Sequence, residues 1–115
     1  MSASRLPDEL RPVLTAYRAL LGERFGARLE SVRLFGSRAR GDASADSDAD
    51  VCVVVKALTD GERVDAIDLA FEAWHASGRG GPLLSPLVWS DAEHADRLAA
   101  ERTIALDVEQ EGIPV

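Results

Sequence analysis

Cysteine is almost missing from this sequence. Cys52 is the single one in 115 residues, which excludes an intrachain disulfide and any cysteine-cluster metal site. Long apolar runs are missing too: nothing approaches the roughly 20 residues that a membrane-spanning helix requires. The opening MSASRLPDEL lacks an apolar signal core, so the expected setting is the cytoplasm, without a membrane. Lysine is nearly absent, Lys56 being the single one, and arginine carries the rest of the positive charge. Formal net charge is −7. Such a surface repels phosphate backbones, which argues against direct nucleic-acid binding through a general basic face. No internal repeat and no low-complexity segment is present.

What remains is an ordinary globular composition, 46% hydrophobic and 29% charged. The length fits one domain over residues 1–115. A chain of this size buries about two-thirds of its unfolded surface. Pro7-Asp8-Glu9 reads as a helix start, with proline in the first turn and acids at the positive end of the dipole. Leu10, Val13, Leu14, Tyr17, Leu20 and Leu21 then recur at helical spacing up to Gly26. Tyr17 carries a hydroxyl but falls on this apolar stripe and reads as core.

Residues 28–35 read as a strand with Val32 and Leu34 on one face. Residues 49–55 are apolar and β-branched, as in a strand buried on both faces, and Cys52 within them reads as a small buried hydrophobe. Thr59-Asp60-Gly61-Glu62 has capping-box spacing. After it Val64, Ile67, Phe71 and Trp74 form one helical stripe that stops near Gly78. Residues 83–89 read as a strand in which Pro86 removes a ladder donor and favours the sheet edge. Ser90-Asp91-Ala92-Glu93 is a second capping box. A last helical region covers about 91–111, broken near 100 and ended by Gly112, with room for one more short strand. The order predicts an α/β or α+β domain with a small mixed sheet flanked by helices.

The chemistry lies in residues 36–50, GSRARGDASADSDAD, between the first two strands. Asp48 and Asp50 are two apart at a strand start, so their side chains share a face with Cα atoms about 6.5 Å apart. Both carboxylates can converge on a hard cation such as Mg²⁺, which takes few carboxylates and fills its shell with water and phosphate oxygens. Gly36-Ser37 supplies a turn after a strand. Glycine lets phosphate approach the backbone, and serine offers a hydroxyl and N–H groups. Together they suit Mg²⁺ with a nucleoside triphosphate. Taken singly, an Asp-x-Asp is a solvated pair and a Gly-Ser is a turn; the combination in one strand-turn-strand unit is what carries weight. Asp42, Ser44, Asp46 and Ser47 read as loop residues.

Leu34-Phe35-Gly36-Ser37-Arg38-Ala39-Arg40-Gly41, then Ser47-Asp48-Ala49-Asp50, resembles the signature of the minimal nucleotidyltransferases of the DNA-polymerase-β-like superfamily. Ten residues separate Ser37 from Asp48, as in the family's Gly-Ser, ten residues, Asp-x-Asp pattern. The closing Glu111-Gly112-Ile113 is similar to the family's ending. The resemblance implies Asp48 and Asp50 as catalytic residues and Mg²⁺ ligands, with Gly36 and Ser37 at the phosphates of ATP; Arg38, beside that turn in sequence, is the further candidate for nucleotide binding. It implies transfer of a nucleoside monophosphate to a hydroxyl with release of pyrophosphate. Stand-alone members of this size are commonly antitoxins paired with a HEPN-domain ribonuclease toxin, to whose tyrosine they transfer AMP. A hetero-oligomer with such a toxin is the implied assembly.

The sequence departs from the pattern in one place. Active members usually carry a third carboxylate on the next strand, and here Ser85 stands at that position. Serine is a poor general base without a partner. This favours an alternative, a catalytically weakened fold that neutralises a toxin by binding alone. Asp91 is a weaker substitute, since its capping box explains it. Transfer to a small molecule such as an aminoglycoside is disfavoured by the lack of room for a second domain. Arg38 and Arg40 suit either triphosphate or local pairing with Asp42, Asp46 and the other aspartates. His75 and His94 read as helix-surface residues. Trp74 reads as core, and Trp89 as core or as a flank of the nucleotide pocket. Leu6, Leu83 and Val115 are candidates for an exposed apolar face.

Overall fold

A computed structural model describes residues 6–41, 48–79, 82–100 and 102–115. The first helix, α1, is Arg11–Phe25. It starts later than Pro7 predicts. Leu10 and Arg11 donate their N–H groups to the Pro7 carbonyl, making a turn ahead of the helix, and the proline of the first helical turn is Pro12. A single 3₁₀ turn, Gly26–Arg28, leads into β1, Leu29–Phe35. The short helix α2 is Ser37–Arg40 and strand β2 is Ala49–Val55. Helix α3, Asp60–Ala76, and strand β3, Leu84–Ser90, follow. Helices α4, Asp91–Ala99, and α5, Thr103–Glu111, are separated at residues 100–102, and β4 is Ile113–Pro114. Among the described residues no helix is long and apolar enough to cross a membrane.

The four strands form one mixed sheet in the order β3-β2-β1-β4. β1 is antiparallel to β2 and to β4; β2 and β3 are parallel, joined through α3 as a crossover must be. Pro86 lies on β3 at the sheet edge, where its missing N–H costs no ladder bond. The period-2 alternation of β2 sorts its side chains between two cores. Ala49, Val51, Val53 and Val55 pack with Val32, Leu34 and the buried residues of α1 and α3. Cys52 and Val54 pack on the other face with Trp89 and with Ala105 and Val108 of α5. The strand is therefore buried on both faces, as its composition predicts. Burial pushes the Cys52 thiol up to about 12, which keeps it an inert hydrophobe.

Both predicted capping boxes are formed. The Glu62 N–H donates to Thr59 Oγ1 and the Thr59 N–H to Glu62 Oε1; Ser90 and Glu93 repeat the pattern. Each capping glutamate has a second task. Glu62 takes both terminal nitrogens of Arg28, at 2.8 and 2.7 Å, tying α3 to the turn after α1. Glu93 takes Arg63 at 2.8 Å, tying α4 to α3.

Helix α3 does not pack on the most hydrophobic residues of its stripe. Its core face is Ala66, Ala70 and Ala73, while Val64, Ile67 and Phe71 are exposed. Small residues let α3 lie close to α1, and the Tyr17 hydroxyl donates to the Ala66 carbonyl across that contact at 2.8 Å. Burial raises the Tyr17 hydroxyl far above its ordinary range, so it stays protonated. His94 differs from its reading as a helix-surface residue. It is half-buried, its ring stacked on Trp89 at 5.8 Å, with Nε2 3.2 Å from Glu109. Leu6 is buried and Val115 packs on the core, leaving Leu83 as the exposed one of that predicted trio.

Two outcomes follow from these contacts. Tyr17→Phe leaves the packing and removes one buried hydrogen bond, and is expected to cost about 1 kcal/mol in urea unfolding. The Arg28 guanidinium, with the Thr59 N–H, holds Glu62 down from 4.5 to about 2. A carboxyl lowered in the folded state stabilises above its unfolded value and loses that contribution as pH falls. The melting-temperature gap between wild type and Glu62→Gln should be open at neutral pH and close as pH drops from 4.5 to about 2.

Candidate functional site

The sheet register assembles the site. Phe35 pairs with Asp50 across β1 and β2, and Asp50 pairs with Ser85 across β2 and β3. Partners in register share a sheet face. Gly36 follows Phe35 at once, so Gly36, Asp50 and Ser85 run across three neighbouring strands at one end of the sheet. Gly36 has φ +73°, a conformation that glycine alone adopts without strain. A Cβ built there would stand 2.5 Å from Asp50 Oδ2. The carboxylate thus occupies the place where any other residue would carry its side chain. The chain then enters α2, where the Ala39 and Arg40 N–H groups donate to the Gly36 carbonyl, and leaves it through Gly41 in the left-handed region.

Asp48 precedes β2 and is exposed. It lines a groove of about 390 Å³ together with Ile67, Asp68 and Phe71 of α3 and residues 83–86 at the start of β3. Burial raises the Asp50 carboxyl, the Asp48 charge raises it further, and Arg40 opposes both. Two carboxylates that repel each other in a partly desolvated corner favour a cation between them. Among the described residues no group of three or more histidine, cysteine or acidic side chains could hold a metal ion. Among the described residues the pair Asp48 and Asp50 suits a hard ion that completes its shell with water and phosphate.

The other predicted residues are placed as follows. Ser37 opens α2. Arg38 is buried and donates to Glu9 at 3.2 Å. Arg40 is exposed and donates to Glu111 at 3.3 Å. The predicted partners Asp42 and Asp46, with Ser44 and Ser47, lie outside the described residues. Asp91 stands beyond the far end of β3, about 20 Å along the chain direction from Ser85. Its Oδ1 accepts the Ala57 N–H at 3.0 Å, which holds its carboxyl down, so it is no substitute ligand for this site. Trp89 is buried under His94 and Arg97, well along β3 from Ser85. A larger cavity, about 740 Å³, opens by Leu87, Trp89, Arg97 and α5, but none of Gly36, Ser37, Arg38, Asp48 and Asp50 lines it.

Sequence reasoning missed the α3 wall of the groove, formed by Ile67, Asp68 and Phe71. The available signal was the alanine stripe. Ala66, Ala70 and Ala73 share one helix face, and small residues mark close helix packing as well as hydrophobes do.

Comparison with known proteins supplies the family. The nucleotidyltransferase domain model matches residues 16–83. The chain is 46% identical over 46 residues to the protein adenylyltransferase MntA of Thermococcus cleftensis. That stretch is 40% of this chain and 44% of that protein, so the match spans less than half of the relative. Two solved structures share the fold. One, from Sulfolobus solfataricus and described as a nucleotidyltransferase, has a TM-score of 0.50 at 22% identity, covering 99% of this chain and 87% of its own. The other belongs to a toxin–antitoxin structure with AMP-PNP, with a TM-score of 0.52 at 20% identity, covering 85% and 68%. The family match takes in more than half of the chain, from α1 to the start of β3, and includes both Gly36-Ser37 and Asp48-Ala49-Asp50; the chain belongs to the nucleotidyltransferase domain family.

Proposed function

We propose that this protein is an antitoxin that transfers AMP from ATP to a hydroxyl, a tyrosine's, of a HEPN-domain ribonuclease toxin in the cytoplasm, and so silences it. The observation that carries the reading is the interlock of Gly36 with Asp50, beside Asp48 and a groove. The similarity to a protein adenylyltransferase and to a toxin–antitoxin structure supports a protein acceptor and a toxin partner.

In this reading Asp48 and Asp50 hold Mg²⁺. The ion, when bound, neutralises phosphate charge and polarises the phosphorus under attack. The chain's own part is positioning, which is most of what phosphoryl and nucleotidyl transfer needs. Gly36 and Ser37 hold the triphosphate close to the backbone, and Arg38, buried and paired with Glu9, braces the turn from behind. The acceptor oxygen bonds to the α-phosphorus, the bond from that phosphorus to the bridging oxygen breaks, and pyrophosphate leaves. The hydroxyl proton passes to solvent or to a phosphate oxygen, because Ser85 beside Asp50 offers no carboxylate. The reaction is correspondingly slow. A toxin held in a complex needs to be modified only once, so slowness is tolerable.

Ser85 also favours the second reading, neutralisation by binding alone. Intact mass of the toxin after co-expression separates the two. Whole AMP increments with wild type that vanish with Asp48→Asn or Asp50→Asn, a loss of at least about a hundredfold in rate, support transfer. A toxin left unmodified yet silent with all three versions supports binding alone. Two further variants probe the geometry. Ser85→Asp should raise the transfer rate about tenfold or more, by restoring a proton acceptor in register with Asp50. Gly36→Ala should drive the Asp50 carboxylate from its place and lose transfer while the protein still melts cooperatively.

A further inference from the structure

Helix α3 gives solvent the face that its sequence marks as apolar. Val64, Ile67 and Phe71 are 56%, 43% and 54% exposed. Their spacing puts them on one stripe. The helix has no need of them for its own packing, because Ala66, Ala70 and Ala73 already fill the contact with α1. Leu83, 40% exposed at the start of β3, extends the patch. Single exposed hydrophobes are common on soluble proteins, but a contiguous patch rimmed by polar groups marks an interaction site.

Two observations choose the occupant. The rim is acidic: Asp68 and Glu72 are exposed on the same helix, beyond the Asp60–Arg63 pair, in a chain with net charge −7. It repels nucleic acid and selects a basic-rimmed partner. The patch is also continuous with the Asp48 carboxylate, since Ile67, Phe71 and Leu83 line the groove that contains Asp48. Whatever settles on the stripe therefore lies beside Asp48. Phe71 is braced before any partner arrives, its ring 5.6 Å from Trp74 and 4.8 Å from His75, which lowers the cost of using it as an anchor.

We propose that the Val64–Ile67–Phe71 stripe of α3 is the docking surface for the protein whose hydroxyl is modified. That partner presents apolar anchors with a lysine or arginine rim, and docking delivers its hydroxyl along the groove to Asp48. The inference rests on the transfer reading above and adds to it the surface that selects the acceptor.

The test combines labelling with cross-linking in an extract of the cells in which the protein occurs. Photo-reactive p-benzoylphenylalanine replaces Phe71, or Arg18 on α1 as a control, and ATP labelled at the α-phosphate reports transfer. The expected result is that position 71, and not position 18, cross-links the same basic protein that takes up label. Asp48→Asn should abolish the label and keep the cross-link. The exposed pair Val64→Glu/Phe71→Glu, and separately the charge reversals Asp68→Lys/Glu72→Lys, should each lower labelling about tenfold at low acceptor concentration. Unchanged circular dichroism and melting temperature show that these surface variants are folded. Full labelling by the glutamate pair overturns the docking surface and leaves the transfer reading intact. So does a cross-link to a second copy of this chain, or to a protein that takes no label. Absence of any label with wild type overturns the transfer reading itself, and the docking inference with it.

Discussion

Gly36 has no side chain, and the space where one would stand holds the Asp50 carboxylate. This steric exchange is the constraint on which the site turns. It demands that β1 end at the pair Phe35–Asp50, and that Gly36, the next residue, take a positive φ. It demands that β2 hold its register against β1 and β3 together, since a slip of one residue would turn Asp50 to the other face. The register is held by burial. Ala49, Val51, Val53 and Val55 belong to one core and Cys52 and Val54 to another, so β2 has no face to which a slipped charge can go without loss. The apolar run behind the carboxylates is thus a device for accuracy as well as stability.

The helices hold this strand from both sides through charges that do two things at once. Glu62 caps α3 and takes Arg28 from the turn after α1; Glu93 caps α4 and takes Arg63 from α3. A cap bonded by a neighbouring element fixes where a helix starts relative to its neighbours, not only that it starts. α3 in turn forms the groove wall opposite residues 83–86. Placement of Ile67 and Phe71 beside Asp48 therefore depends on two ion pairs that no single segment of sequence reveals.

That dependence explains what was legible in the sequence. Local signals were read well: the two capping boxes, the end of α5 at Gly112, the edge position of Pro86, the double burial of β2, and the core role of Tyr17. Each is decided by neighbours in sequence or by a period of two or four. The helix-start reading at Pro7 failed because proline is equally suited to a turn, and Leu10 and Arg11 both bond back to its carbonyl. The stripe of α3 was legible as a helical stripe, but the face it takes was not. Hydrophobicity ranked Val64, Ile67 and Phe71 above the alanines, while the fold ranked faces by how closely α1 and α3 can approach. His94 was misjudged because nothing nearby in sequence announces Trp89 as a stacking partner across the strand-helix junction. For the site, residue types and the register of Asp50 with Ser85 were within reach, while the groove and the burial of Arg38 against Glu9 were tertiary facts.

The exposed stripe and the departure at Ser85 share one physical reading. A nucleotidyltransferase that must find many acceptors in solution depends on chemical rate, and gains from every carboxylate that can move a proton. One that acts on a single bound partner depends on positioning, because the acceptor's effective concentration is set by docking rather than diffusion. An apolar patch that leads into the groove beside Asp48, on a chain whose third-strand position holds a neutral serine, fits the second kind. On the proposed reading, binding energy from α3 supplies part of what a third carboxylate would otherwise supply. The exposed apolar surface is then retained in spite of its cost in solubility, because the chemistry depends on it.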